Sequence, residues 1–188
     1  MARKTRDLAD RYGEWALVAG ASEGIGRAFA AALAESGLDL VLVARRRAPL
    51  EALAETLRRE HGVKVVVAVA DLGAPDVVDV IRRQTGDLSV GLVVYNACYS
   101  TIGEFAETAV ESKLLTVAVN CAGPVRLLDA YVRPMIARGR GGVIVMSSMA
   151  GFQGGAMIAT YAASKAFDAV LGESLWANRK STRLNSSH

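Results

Sequence analysis

The sequence predicts an α/β protein built on a doubly wound parallel sheet. Three features point there. Five short apolar runs rich in Val, Leu and Ile recur along the 188 residues. Stretches with helical patterning separate them, and a glycine-rich turn lies between the first run and the first helix. Strands that are aliphatic almost throughout are covered on both faces, and their helical crossovers are right-handed. The expected strand order is 3-2-1-4-5.

Trp15 to Ala19 reads as the first strand. Gly20-Ala21-Ser22-Glu23-Gly24-Ile25-Gly26 follows, then an alanine-rich helix from Arg27 to about Ser36, stopped at Gly37. Leu38 to Ala44 is the second strand. After Arg45-Arg46-Arg47, Pro49 sits at the start of a helix reaching about Glu60. Val63 to Ala70 is the third strand, Asp71-Leu72-Gly73 a turn, and Pro75 opens a helix to about Thr85. Gly91 to Tyr95, ending in Asn96-Ala97-Cys98, is the fourth strand. A long helix is expected from about Phe105 to Ala137, with Pro124 and Pro134 bending it or shifting its ends. Gly142 to Ser147 is the fifth strand, and Met157 to about Asn178 the last helix.

Hydrophobic residues make up 52% of the chain and charged ones 22%, which excludes a disordered polypeptide. No apolar run reaches the roughly 18 residues that span a bilayer, so no membrane span is expected. Met1 to Glu14 mixes basic and acidic residues without an apolar core or cleavage signal, and a cytoplasmic protein is predicted. The net charge of +3 comes from Arg179, Lys180 and Arg183 near the C-terminus; the remaining basic and acidic residues balance. A neutral body argues against nucleic acid as a partner. Cys98 and Cys121 are too few for a metal site or a disulfide framework, and read as reduced, partly buried thiols.

The spacing Gly20-x-x-x-Gly24-x-Gly26 stands where a dinucleotide-binding turn belongs. Gly20 permits the tight turn, Gly24 lets the backbone approach a pyrophosphate, and Gly26 allows close helix–strand packing. The helix N-terminus faces the negative charge. At the end of the second strand, an acidic residue would bind a ribose 2′-hydroxyl. Ala44 and Arg45 stand there instead, and an Arg suits a 2′-phosphate, so NADP is favoured with NAD possible. Glu23, inside the turn, works against that preference by repulsion.

Tyr161 and Lys165 lie four apart on the last helix, on one face. A free phenol ionises near 10, but a neighbouring ammonium favours the phenolate and makes it a usable acid/base.

Together these elements resemble the short-chain dehydrogenase/reductase superfamily over about Trp15 to Trp176. The turn fits its T-G-x-x-x-G-x-G element, with Ser22 and Ile25 among the residues expected to line the cofactor. Asp71-Leu72 resembles the acidic element that holds the adenine. Asn96-Ala97-Cys98 is similar to the N-A-G that lines the cofactor and supports the sheet. Asn120, Ser148, Tyr161 and Lys165 look like the catalytic tetrad, and Ser148, thirteen residues before Tyr161, fits better than Ser147. The segment Tyr12 to Val18 is also similar to the 3-ketoacyl-CoA reductase and 17β-hydroxysteroid dehydrogenase-like branch. Two positions depart from the pattern: Ala19 replaces Thr, and Cys98 replaces Gly.

The resemblance implies a Rossmann-type domain over 15–178 after an N-terminal extension over 1–14. It also implies interconversion of a carbonyl and a secondary alcohol by hydride transfer. Tyr161 would be the acid/base, Ser148 would bond the reacting oxygen, Tyr161 and Lys165 would also bind the cofactor, Lys165 at the nicotinamide ribose, and Asn120 would hold a relay water. Met149, Phe152, Met157 and Ile158 suggest an apolar pocket for the small-molecule substrate. A homo-oligomer is implied for the full-length protein, and a non-catalytic nucleotide-binding fragment or sensor is the alternative. Residues 179–188 read as a non-native or unstructured tail, with the C-terminal strands of the family missing. The fifth strand is then expected at an exposed sheet edge.

Overall fold

Five parallel strands form one sheet in the order β3-β2-β1-β4-β5. They are β1 Trp15–Ala19, β2 Asp39–Ala44, β3 Val65–Val69, β4 Val90–Tyr95 and β5 Gly142–Val145. The structure, a computed structural model, describes residues 3–185, with side chains over 8–177.

The helices are α1 Arg3–Tyr12, α2 Gly24–Glu35, α3 Arg47–His61, α4 Val77–Thr85, α5 Val110–Val117, α6 Gly123–Ala137 and α7 Ala159–Asn185. Alternation of side chains along the strands splits the core in two. On one face, Ala16, Val18, Leu40, Leu42, Leu92 and Val94 meet Ala30 and Leu33 of α2 and Leu50, Leu53 and Leu57 of α3. On the other, Leu17, Val41, Val43 and Val93 meet Val77 and Ile81 of α4 and Leu127, Leu128, Tyr131 and Met135 of α6. Helices on both faces leave the crevice between β1 and β4, where strand order reverses, as the place for a ligand.

Several boundaries differ from the sequence reading. The N-terminal extension contains a helix: Leu8 and Tyr12 of α1 pack on the first core, and Tyr12 lies against Gly91 and Gly142. The expected helix start at Phe105 is replaced by a loop, because Thr108 and Glu104 form a local turn and the helix begins only at Val110. That helix is not continuous either, since a π-helical turn, Ala118–Ala122, separates α5 from α6. Pro124 takes the first turn of α6, where no N–H is needed, and Pro134 is carried inside it. The strand β5 ends at Val145, although the Met146 N–H still donates to the Tyr95 carbonyl at 2.9 Å. The helix α7 continues past Asn178 to Asn185, so Arg179–Asn185 is helical rather than unstructured. No proline or glycine stands in that stretch to stop it. Residues 186–188 lie outside the described residues.

As expected, among the described residues β5 lies at a sheet edge and pairs with β4 alone. Each of its residues is half-buried, whereas every residue of β1 and β4 is buried. Among the described residues, no helix is long and apolar enough to cross a membrane.

Candidate active site

Two features converge at the carboxyl ends of the strands. The first is the glycine turn after β1. Gly20 has φ +85°, and a Cβ on it would stand 2.7 Å from the backbone of Ala97. A Cβ on Gly26 would collide with the Gly20 carbonyl oxygen, so α2 presses directly on the turn. The Asn96 amide donates to that same carbonyl at 3.2 Å, and the Ala19 carbonyl accepts from Asn96 and Ala97 N–H at 3.0 and 2.9 Å. Asn96 therefore sews the end of β4 to the turn. By contrast, Gly24 (φ +57°) opens α2 with nothing within 4 Å of where its Cβ would lie. A bare helix N-terminus in front of open space fits a pyrophosphate.

Around the turn, Ser22 is half-buried and Ile25 exposed. Arg45 is exposed at the end of β2, and the adjacent Arg46 bonds Glu23 at 2.8 Å across the mouth of the turn. Asp71 is exposed and accepts from the Gly73 N–H at 3.0 Å, while Leu72 is buried in the core. Ala97 is half-buried beside Gly20.

The second feature is the segment from β5 to α7. Ser147 donates to the Lys165 carbonyl at 2.6 Å, which spends its hydroxyl proton on holding α7. Ser148 instead accepts from the Ala150 N–H at 3.2 Å, opening a short 3₁₀ turn over Met149–Phe152. Tyr161, Ser164 and Lys165 share one face of α7. Tyr161 is half-buried and lines a cleft with Phe105, Lys113, Met157, Ile158 and Thr160. Met157 holds φ +67°, and its carbonyl accepts from the Gly103 N–H at 2.8 Å. Lys113 caps the cleft by donating to the Phe105 carbonyl at 2.7 Å while lying 4.0 Å above the Phe105 ring.

Asn120 is fully buried in the π-helical turn, a distortion that recurs at functional sites. Its amide donates to the Tyr99 carbonyl and to the Ser164 hydroxyl, both at 2.9 Å, and accepts from the Tyr99 N–H at 2.7 Å. The Ser164 hydroxyl in turn donates to the Tyr161 carbonyl at 2.7 Å. Asn120 is thereby coupled to α7 through hydrogen bonds. One lone pair of its side-chain oxygen is left over from these three bonds.

Some expectations fail. The four apolar residues divide: Met149 and Phe152 are each 84% exposed, whereas Met157 and Ile158 line the cleft beside Tyr161, which holds only about 10 Å³. That is room for roughly one water. Cys98 is exposed rather than partly buried, and Cys121 is half-buried. Asp168 of α7 is a further member of the cluster around Lys165 that no sequence motif marks. Its carboxylate lies 2.9 Å from the Lys165 ammonium, with side chains only 2% and 4% exposed, and Lys165 also donates to the Met146 carbonyl at 2.7 Å. Burial pushes the Asp168 carboxyl above its ordinary range, outweighing the bond and charge of Lys165. Burial and then Asp168 push the Tyr95 phenol up as well, and its hydroxyl donates to the Val119 carbonyl at 2.6 Å. The spacing 161, 164, 165, 168 marks a single helix face, a signal that could have found Asp168.

The short chain dehydrogenase family profile matches residues 14–185. The chain belongs to this family. A 7beta-hydroxysteroid dehydrogenase of Mediterraneibacter gnavus is 33% identical over 178 residues, covering 95% of this chain and 68% of that protein. A very-long-chain 3-oxoacyl-CoA reductase of Phaeosphaeria nodorum is 33% identical over 161 residues, 82% of this chain and 47% of that one. Among solved structures, a short-chain dehydrogenase from Sphingobium yanoikuyae in complex with NADPH superposes with TM-score 0.80 at 34% identity. It covers 86% of this chain and 63% of that one. Relative to these short-chain dehydrogenases, the sequence spans about half to two thirds of their length.

Proposed function

We propose that the chain carries the cofactor site and acid/base groups of an NADP(H)-dependent oxidoreductase interconverting a carbonyl and a secondary alcohol. The observation that carries this reading is one of place. Ser147, just past β5 and next to Ser148, bonds the Lys165 carbonyl, which ties the helix bearing Tyr161 and Lys165 to the strand beside β4, and the end of β4 is bonded through Asn96 to the glycine turn. When bound, the reduced nicotinamide supplies the hydride.

The rest falls to the chain. Tyr161 donates a proton to the substrate oxygen as charge develops there, and Ser148 donates a hydrogen bond to the same atom. Lys165 supports the phenolate and holds the nicotinamide ribose. Asn120 fixes the height of α7 through Ser164 and offers its remaining lone pair to a relay water. Gly20, Ser22, Gly24, Ile25 and Gly26 cradle the pyrophosphate, Asp71, Leu72, Asn96 and Ala97 line the adenosine half, and Arg45 takes the 2′-phosphate. NADP over NAD is supported by exposed Arg45 and by the NADPH complex of the Sphingobium yanoikuyae relative. The L-sorbose reductase from Gluconobacter frateurii, 28% identical with TM-score 0.82, is likewise complexed with NADPH. An apolar carbonyl substrate is supported by Met157 and Ile158 at the cleft and by the hydroxysteroid and oxoacyl relatives. Exposed Leu114, Val117 and Val125 along α5 and α6 support self-association.

The test is transfer of deuterium from NADPH labelled at the nicotinamide C4 to a panel of ketones, read by mass spectrometry of the alcohols. Label in the carbinol carbon is expected. The small cleft favours a second reading, a nucleotide-binding chain without turnover. NADPH binding with no labelled alcohol from any ketone would establish that reading instead.

A further inference from the structure

We propose that cofactor binding draws the Lys165 ammonium off Asp168, and that Asp168 then takes up one proton from solvent. The inference rests on the reading above, in which Lys165 serves the cofactor ribose and Tyr161. Along α7, Tyr161 precedes Lys165 by four residues and Asp168 follows it by three. At about 1.5 Å of rise per residue, these partners lie on opposite sides of Lys165, roughly 6 Å and 4.5 Å along the axis. The ammonium is turned toward Asp168, and it stands 5.9 Å from the centre of the Tyr161 ring. The same ammonium also donates to the Met146 carbonyl just beyond β5 at 2.7 Å, so both of its hydrogen bonds are made within the protein. Serving the ribose takes it from these partners.

What it leaves behind is a buried carboxylate. Asp168 Oδ1 already lacks a hydrogen-bond partner, and Oδ2 has Lys165. The other ionisable groups acting around it are Cys121 from the π-helical turn, Tyr95 from β4 and Arg126 from α6. The phenol and the thiol are neutral near pH 7, because burial and Asp168 itself hold both above their ordinary values. Arg126 acts on Tyr95, and its Nη1 is likewise buried without a partner. No hydrogen bond or ion pair within the described residues joins Arg126 to Asp168 to replace Lys165. An isolated buried carboxylate is costly enough that protonation is the cheaper outcome. Asp168 is thus a positioning residue: it holds the ammonium in place before the cofactor arrives and accepts a proton when the ammonium leaves. Linkage then makes NADPH affinity fall as pH rises, by up to tenfold per unit between the free and bound protonation ranges.

The test is calorimetric titration of NADPH into the chain at pH 7, in phosphate and in Tris, whose ionisation enthalpies differ. Net uptake approaching one proton per NADPH is expected, with Asp168→Asn reducing it nearly to zero and flattening the pH dependence. In the unsubstituted chain, difference infrared spectroscopy should show a protonated carboxyl C=O band appearing with NADPH and shifting on ¹³C-aspartate labelling. That measurement needs no variant. NADPH binding with equal proton uptake in both proteins, or without the carboxyl band, would overturn the inference alone. Absence of NADPH binding to the unsubstituted chain would overturn the cofactor reading and the inference with it.

Discussion

The two halves of the site are built by different means. Around the glycine turn, backbone presses on backbone: Gly26 touches the Gly20 carbonyl, Gly20 stands against Ala97, and β1 and β4 are buried throughout. Around Tyr161, side chains do the holding. Ser147 bonds the Lys165 carbonyl, Lys165 bonds Met146 and Asp168, and Asn120 reaches α7 through Ser164. The strand beneath, β5, is half-buried at the sheet edge, and an apolar trough of about 450 Å³ opens beside α7 between Gly151 and Ala166. The lesson is that the glycine-turn half is fixed by shape and the Tyr161 half by polar bonds. Damage to the first should unfold the chain; damage to the second should spare the fold and alter chemistry.

Substitutions in the core test this contrast most strongly. Leu17→Ala in β1, at a fully buried position, should cost about 2–5 kcal/mol in urea denaturation. Ile144→Ala in β5 should cost roughly half as much; equal losses would break the contrast between central and edge strands. Gly26→Val should cost about 1–3 kcal/mol by overpacking and abolish NADPH fluorescence enhancement, since α2 must back away from the turn.

Alkaline pH gives the next effect. The Tyr95 phenol is raised in the fold, so above about pH 10 the unfolded chain loses that proton first. Stability that is full below pH 10 should therefore fall as pH rises, by up to about 1.4 kcal/mol per unit. Tyr95→Phe should weaken that slope, and an unchanged slope would assign the loss to other groups. The smallest effect is at Glu23. Glu23→Gln releases exposed Arg46 and removes a carboxylate from the phosphate mouth, and NADPH should bind about threefold tighter with NADH unchanged. Equal gains for both cofactors would remove the 2′-phosphate from the explanation.

The difference between the halves also explains what could be read from sequence. Strand order and the glycine turn were legible because aliphatic runs and glycines record burial and close approach directly. Tyr161, Lys165, Ser148 and Asn120 were singled out through their family pattern; Tyr161 and Lys165 lie on α7, and Asn120 bonds Ser164 of the same helix. The Lys165–Asp168 pair was harder, since a lone Asp in a helix reads as solvated until its face is compared with that of Tyr161. The π-helical turn at Ala118–Ala122 and the late start of α5 leave no periodic signal, because tertiary bonds to Tyr99 and the 104–108 turn decide them. The α1 helix did leave one, in the four-residue spacing of Leu8 and Tyr12.

The most direct test of the account is ketone reduction by Tyr161→Phe with NADPH binding measured in parallel. Removing one hydroxyl from the polar half should lower turnover by at least about 100-fold, the usual worth of a positioned general acid. The NADPH dissociation constant should stay within about twofold, because the glycine-turn half is held by backbone contacts that the phenol does not make. Near-normal turnover in Tyr161→Phe would contradict the account.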